Sequence, residues 1–152
     1  MENVIGIIQG LRGRTSDTVY DLFFAEKRVV AAIVLHFSDL TDIYRKINGW
    51  TLLFGNWSER NQAKMRSSRL VEERRLAFKD KTLDEILASH RANVEIVYDN
   101  VVCVTVKKGL LQTSLKFVVQ GDPEKKISFW LGESQTAEVE DLIKRVLPSK
   151  IR

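Results

Sequence analysis

Asn93-Val94-Glu95-Ile96-Val97-Tyr98-Asp99-Asn100-Val101-Val102-Cys103-Val104-Thr105-Val106-Lys107-Lys108-Gly109 is the stretch from which the fold is read. Val94, Ile96 and Tyr98 alternate with Glu95 and Val97, the period-2 pattern of a strand. Asp99-Asn100 interrupts the alternation and predicts a bend or bulge. Val101 to Val106 continues as a second strand, and Lys107-Lys108-Gly109 reads as a turn with glycine where a positive φ is needed. Leu111 to Val119 is then a strand with Leu115, Phe117 and Val119 on one face. Gly121-Asp122-Pro123-Glu124 is a turn, and Ile127, Phe129 and Leu131 alternate with Ser128 and Trp130 on the strand after it. Val139, Leu142, Ile143, Val146 and Leu147 follow the spacing of an amphipathic helix. Its acids come early, its Lys144 and Arg145 late, and Pro148 stops it.

Upstream, the first third also reads as β. Val4 to Gln9 is a short β-branched run, and Gly10-Leu11-Arg12-Gly13-Arg14 with Ser16-Asp17 supplies loop chemistry. Thr18 to Ala25 and Arg28 to His36 form a hairpin about Glu26-Lys27. Val29 to Leu35 is nearly all apolar, as in a strand covered on both faces. The middle third is helical. Ser38-Asp39-Leu40-Thr41-Asp42-Ile43 opens a helical turn. Ser58 to Phe78 has strong helix formers with no Gly or Pro and predicts a long helix. Its apolar positions (Ala63, Leu70, Val71, Ala77, Phe78) make a thin stripe, enough to pack along one edge. Thr82 to Leu87 is a short helix with Thr82 and Glu85 in a capping box.

At 152 residues the chain reads as one domain, residues 1–152, with a helical insertion at 37–91. One cysteine, Cys103, excludes an intramolecular disulfide and a Cys-based zinc site. The longest apolar run, Val29 to Phe37, is far short of the roughly 20 residues a spanning helix needs. The N-terminus lacks the basic region of a signal peptide, so the expectation is a cytoplasmic protein that touches a membrane at most peripherally. The net charge of +4 is uneven: residues 37–93 hold 11 basic against 8 acidic residues, while residues 1–36 balance. Six of those basic residues (Arg60, Lys64, Arg66, Arg69, Arg74, Arg75) fall on the predicted long helix, beside Glu72 and Glu73. Such a stripe is the solvated face of a helix or a surface for an anionic partner.

Three early strands, then a hairpin run of about four strands, then one amphipathic C-terminal helix form a distinctive order. The segments Asp84-Glu85-Ile86-Leu87, Asn93 to Val101 and Val104 to Gly109 resemble the core of bacterial and archaeal pleckstrin-homology-like (GRAM-like) domains. The shared pattern is an Ile-x-Tyr-Asp-x-Ile step, a Val-rich strand and a Lys-Gly turn, continued by two strands and a helix as in Leu115 to Leu147. The hairpin Tyr20 to Val34 is similar to the first hairpin of that family, with Glu26 a mild departure at its turn. The resemblance implies an α+β, mainly β fold: a seven-stranded antiparallel barrel or sandwich capped by a C-terminal helix. The insertion is not part of it. Members of that family bind lipids, bind peptides or act as scaffolds, so the resemblance alone does not fix a function.

His36 and His90 stand in no nucleophile or metal signature, and Cys103 among valines reads as a buried, inert thiol. Asp39 and Asp42 are better explained by helix capping than by a shared metal, and Gly10-x-x-Gly13 lacks the context of a phosphate loop. No catalytic, cofactor or metal residue is therefore assigned. Trp50 to Trp57 is uncharged, holds two of the three tryptophans and is flanked by Arg45-Lys46, Arg60 and Lys64. Aromatic and basic residues in that pattern suit an oligomer or partner interface or an anionic membrane surface, if they are not simply packed on the body. The expected docking residues are Trp50, Leu53, Phe54, Trp57, Arg60, Lys64 and Arg66. The expected function is a non-catalytic binding or scaffolding module, docking a protein partner, a second copy of itself or an anionic membrane through the insertion. A single-stranded nucleic-acid-binding domain and a small enzyme are the alternatives; the modest charge and the acids within the stripe disfavour the first.

Overall fold

The computed structural model describes residues 1–13, 18–46 and 57–152, with the side chains of residues 44, 46, 57–60 and 62 left aside. Arg14, Ser16 and Asp17 of the predicted first loop, and Trp50, Leu53 and Phe54 of the predicted docking segment, lie outside the described residues. The chain runs β1 (Val4–Arg12), β2 (Val19–Ala25), β3 (Arg28–Leu35), α1 (Phe37–Lys46), α2 (Trp57–Lys79), α3 (Leu83–Ala88), β4 (Val94–Val97), β5 (Val101–Lys108), β6 (Thr113–Val119), β7 (Lys125–Leu131) and α4 (Thr136–Val146). The fold is α+β, with one seven-stranded antiparallel sheet in the order β4-β3-β2-β1-β7-β6-β5.

The sheet is open, not a closed barrel. Its two halves, β4-β3-β2-β1 and β7-β6-β5, meet at the single pair Arg12↔Trp130. Its outermost strands, β4 and β5, are nevertheless neighbours in sequence, joined by the short 3-10 turn Tyr98–Asn100. Four residue steps reach at most about 14 Å. The sheet must therefore curl until its ends approach, which brings the two halves face to face. The predicted interruption at Asp99-Asn100 is this corner. The Tyr98 hydroxyl locks it, donating to the Ala25 carbonyl at 2.9 Å in a buried site. Burial also pushes the Tyr98 phenol pKa above its ordinary value.

The main core fills the space between the halves with Leu22, Phe24, Leu115, Phe117 and Phe129. α4 completes it with Val139, Leu142, Ile143 and Leu147, the residues its periodicity assigned to one face. The chain beyond Pro148 returns along β5: the Val104 N–H donates to the Lys150 carbonyl, and the Arg152 N–H to the Val104 carbonyl.

A second core lies on the opposite face of β2 and β3. Phe23, Ala25, Val30, Ala32 and Val34 are covered there by Phe78 of α2 and Leu83 and Ile86 of α3. The six residues Val29 to Val34 are thus buried on both faces, as their apolar run predicted. The Phe23 and Phe78 rings meet edge to face at 6.0 Å. The Thr82–Glu85 capping box is present: Thr82 Oγ1 accepts from the Glu85 N–H, and Glu85 Oε2 from the Thr82 N–H.

Four boundaries differ from the sequence reading, the first being β6, which starts at Thr113 rather than at the exposed Leu111. β1 continues through Gly10, Leu11 and Arg12 rather than ending in a loop, because Leu11 is fully buried and Gly10 absorbs an irregularity in the pairing with φ +76°. A left-handed residue of this kind favours glycine. α1 is a helix of ten residues rather than one turn. β5 extends through Lys107 and Lys108, moving the turn to Gly109–Gln112, because both lysines pair across to β6. Among the described residues no helix is long and apolar enough to cross a membrane.

Ile143 is 1% exposed between the two halves of the sheet. Ile143→Ala is expected to lower the urea-denaturation stability by about 2–5 kcal/mol, the range for cavities of this size in a core.

Candidate functional site

Asp21 is the one charged residue of the otherwise apolar β2, and it is 1% exposed. A buried carboxylate without partners is very costly. This one has three. The Gly10 N–H donates to its Oδ1 at 2.9 Å, and Arg75 of α2 donates twice, Nε to Oδ2 at 2.7 Å and Nη2 to Oδ1 at 2.9 Å. Asp21 is the leading cause of the raised Arg75 pKa. The neighbouring Arg74 makes a second two-toothed pair, to Asp39 at 2.7 and 2.9 Å, and also donates to the Val34 carbonyl. Asp39 in turn accepts the His36 N–H at 2.8 Å, the capping role its position predicted. Burial alone would raise the Asp39 pKa; the Arg74 pair, the His36 N–H and the positive charges nearby outweigh it and hold the pKa below its ordinary value.

Two members of the predicted basic stripe are therefore anchors of α2 rather than free cations. Arg28 is a further junction. Its guanidinium meets Glu95 at 2.6 Å, Asp84 at 2.8 Å and Glu2 at 2.9 Å, joining β3, β4, α3 and the N-terminal residues. Those bonds, Glu95 first, raise the Arg28 pKa.

Between the outer face of β1 and the helices α2 and α3 lies a cleft of about 590 Å³. Its floor is Phe23, Phe78, Leu83 and Ile86, all buried. Its open wall is Val4 and Ile7, 42% and 43% exposed. The Asp21–Arg75 and Arg28 junctions also line it, and by the β2–β3 register they flank Phe23. An apolar concavity with a few fixed polar groups is the usual form of a binding site. Sequence reasoning missed Asp21, Arg28 and Arg75. A signal was present at Asp21, since a lone charge in an apolar strand requires a cation from elsewhere in the chain.

The expected docking residues are placed differently. Trp57 and Arg60 begin α2, their side chains being outside the described set. Lys64 and Arg66 are exposed on α2, and Arg66 borders a hollow with Asp39, Asp42 and Glu73. Neither Lys64 nor Arg66 lines the cleft. His36 and His90, far apart in sequence, come together with ring centroids 5.2 Å apart. His36 Nδ1 accepts the Ser38 N–H, and His90 Nδ1 the Ala92 N–H. Each Nδ1 therefore presents its lone pair to a backbone donor. The Asp39 carboxylate touches the His36 backbone and not its ring, and Arg74 occupies both its oxygens. Cys103 is buried as expected, and no metal-binding group of three or more side chains occurs among the described residues. Comparison of the chain with protein-family models and with curated proteins gives no match.

Arg75→Ala leaves the Asp21 charge buried without its cation and is expected to cost about 3–5 kcal/mol in urea denaturation. The double variant Asp21→Ala/Arg75→Ala is expected to cost less than Arg75→Ala alone.

The His90 pKa is lowered, by burial first and then by the charges of His36 and Arg74. The unfolded chain then binds a proton that the folded chain resists, so stability is intact above the ordinary value of 6.5 and falls as the pH drops below it. Asp39 contributes fully above its ordinary 3.8, and that share is lost as the pH falls further. Melting temperature should therefore fall in two steps with acid, and His90→Asn should remove the first and leave the second.

Proposed function

We propose that this chain is a non-catalytic binding module of pleckstrin-homology-like architecture that docks a protein partner through its helical insertion. The four-plus-three division of the open sheet and the terminal helix that completes the core support the architecture. The observation that carries the docking role is the cleft between β1 and the insertion helices. Its floor is buried and apolar, and its β1 wall is nearly half exposed. That geometry suits one or two protruding apolar side chains of a partner, the anchor type that dominates protein interfaces. The ion pairs beside the floor fix its width, because Arg75 and Arg28 hold α2 and α3 at a set distance from the sheet.

The acid–base groups favour binding over catalysis. Both imidazole Nδ1 atoms are occupied by backbone donors, and Asp21 and Asp39 are each held by an arginine. The nucleic-acid alternative is weakened in the same way, since Arg74 and Arg75 spend their charge inside the fold. Exposed Lys64 and Arg66, with the aromatic segment Trp50 to Trp57 that precedes them, extend the proposed surface on the strength of the sequence.

A random-peptide display selection against the full chain is expected to return peptides sharing a large apolar anchor. Ile7→Arg, at an exposed wall position, should weaken their binding at least tenfold while the melting temperature stays unchanged. Selected peptides that bind Ile7→Arg as tightly as the original chain would refute the cleft as the docking site.

A further inference from the structure

The hairpin between β5 and β6 ends in Gly109-Leu110-Leu111-Gln112. Its ladder runs out to the pair Lys108↔Thr113, and the Gly109 N–H donates to the Gln112 carbonyl at 3.0 Å. A Cβ on residue 109 would stand 2.7 Å from that same carbonyl oxygen, so the turn requires glycine there. The two positions between have no such requirement. Turn tips are ordinarily filled by Gly, Asn, Asp, Ser or Pro, and this one carries two leucines. They are 105% and 99% exposed, so they add nothing to the core. Lys107 and Lys108 stand beside them, both exposed. Neither joins an ion pair among the described residues.

We propose that this hairpin tip docks on an anionic lipid bilayer, with Leu110 and Leu111 entering the acyl boundary and Lys107 and Lys108 meeting the lipid phosphates. The size of the patch argues for a bilayer rather than a protein. A stable protein interface takes roughly 800 Å² from each partner, far more than two leucines and two lysines offer. A bilayer accepts a convex apolar tip of this size, and each lysine near an anionic surface adds to the attraction. On the side toward α4, Lys108, Leu110 and Leu111 share a hollow of about 410 Å³ with Glu133 and Glu140. These carboxylates are repelled by an anionic surface, so the tip and its lysines make the contact while α4 is held away. The surface shares no residue with the cleft at β1.

Co-sedimentation of the full chain with phosphatidylcholine vesicles, with and without a third phosphatidylserine, tests the proposal at low salt. The chain should sediment with the anionic vesicles only, and salt should release it. Leu110→Ser/Leu111→Ser should weaken vesicle binding at least tenfold, and Lys107→Gln/Lys108→Gln by about thirtyfold. Neither pair should alter the melting temperature, since all four side chains are exposed. A Leu111→Cys variant carrying an environment-sensitive fluorophore should blue-shift on vesicle addition; the native Cys103 is buried and does not compete for the label. No sedimentation of the original chain with anionic vesicles overturns the proposal. So does unchanged binding by the double leucine variant, or a fluorophore at position 111 that reports water in the bound state.

Discussion

A carboxylate that is 1% exposed on the outer face of β2 constrains how the rest of this chain can pack. Asp21 sits two residues from Phe23, on a surface that would otherwise be wholly apolar. Its charge is tolerable there only if a cation arrives with good geometry. Arg75 provides that cation from 54 residues away, and in doing so fixes where α2 lies. Once α2 is set against the sheet, Phe78 falls on Phe23, and Leu83 and Ile86 follow over the rest of the face. The same pair forms part of the cleft wall. One buried charge thus ties together the orientation of the insertion, the second core and the shape of the candidate site.

The other half of the molecule depends on a different constraint, the short turn between the outermost strands. Because Tyr98–Asn100 allows so little reach, the sheet has to curl, and the two halves then enclose a core they cannot fill by themselves. α4 supplies the missing side chains from the end of the chain. The Tyr98 hydroxyl bond to Ala25 and the Lys150 ammonium bond to the Tyr98 carbonyl hold the corner from two sides. This division of labour leaves β1 with its outer face free toward the insertion, which is the condition for a cleft to exist at all.

Much of this was legible in local pattern. The β2–β3 hairpin, the capping box at Thr82, the long helix to within a residue at each end and the amphipathic α4 all follow from features within a few residues of one another. The apolar run in β3 correctly implied cover on both faces. The basic stripe on α2 was harder, because composition cannot tell a solvated arginine from a buried one. Arg66 and Arg69 are exposed, while Arg74 and Arg75, one turn further on, turn inward to Asp39 and Asp21. The difference lies in acids 35 and 54 residues distant. The pairing of His36 with His90 was invisible for the same reason.

The sequence by itself determined the elements, their order and the apolar faces, since periodicity, capping and turn chemistry act over distances of a few residues. It also determined that helices stand between an early and a late run of strands. Only the tertiary structure decided that the sheet stays open, that two arginines of the stripe are structural, that β1 and the helices α2 and α3 enclose a cleft, and that Leu111 reaches solvent instead of starting the strand β6. Burial and ion pairing depend on what arrives from far along the chain, and that depends on a packing that no local window contains.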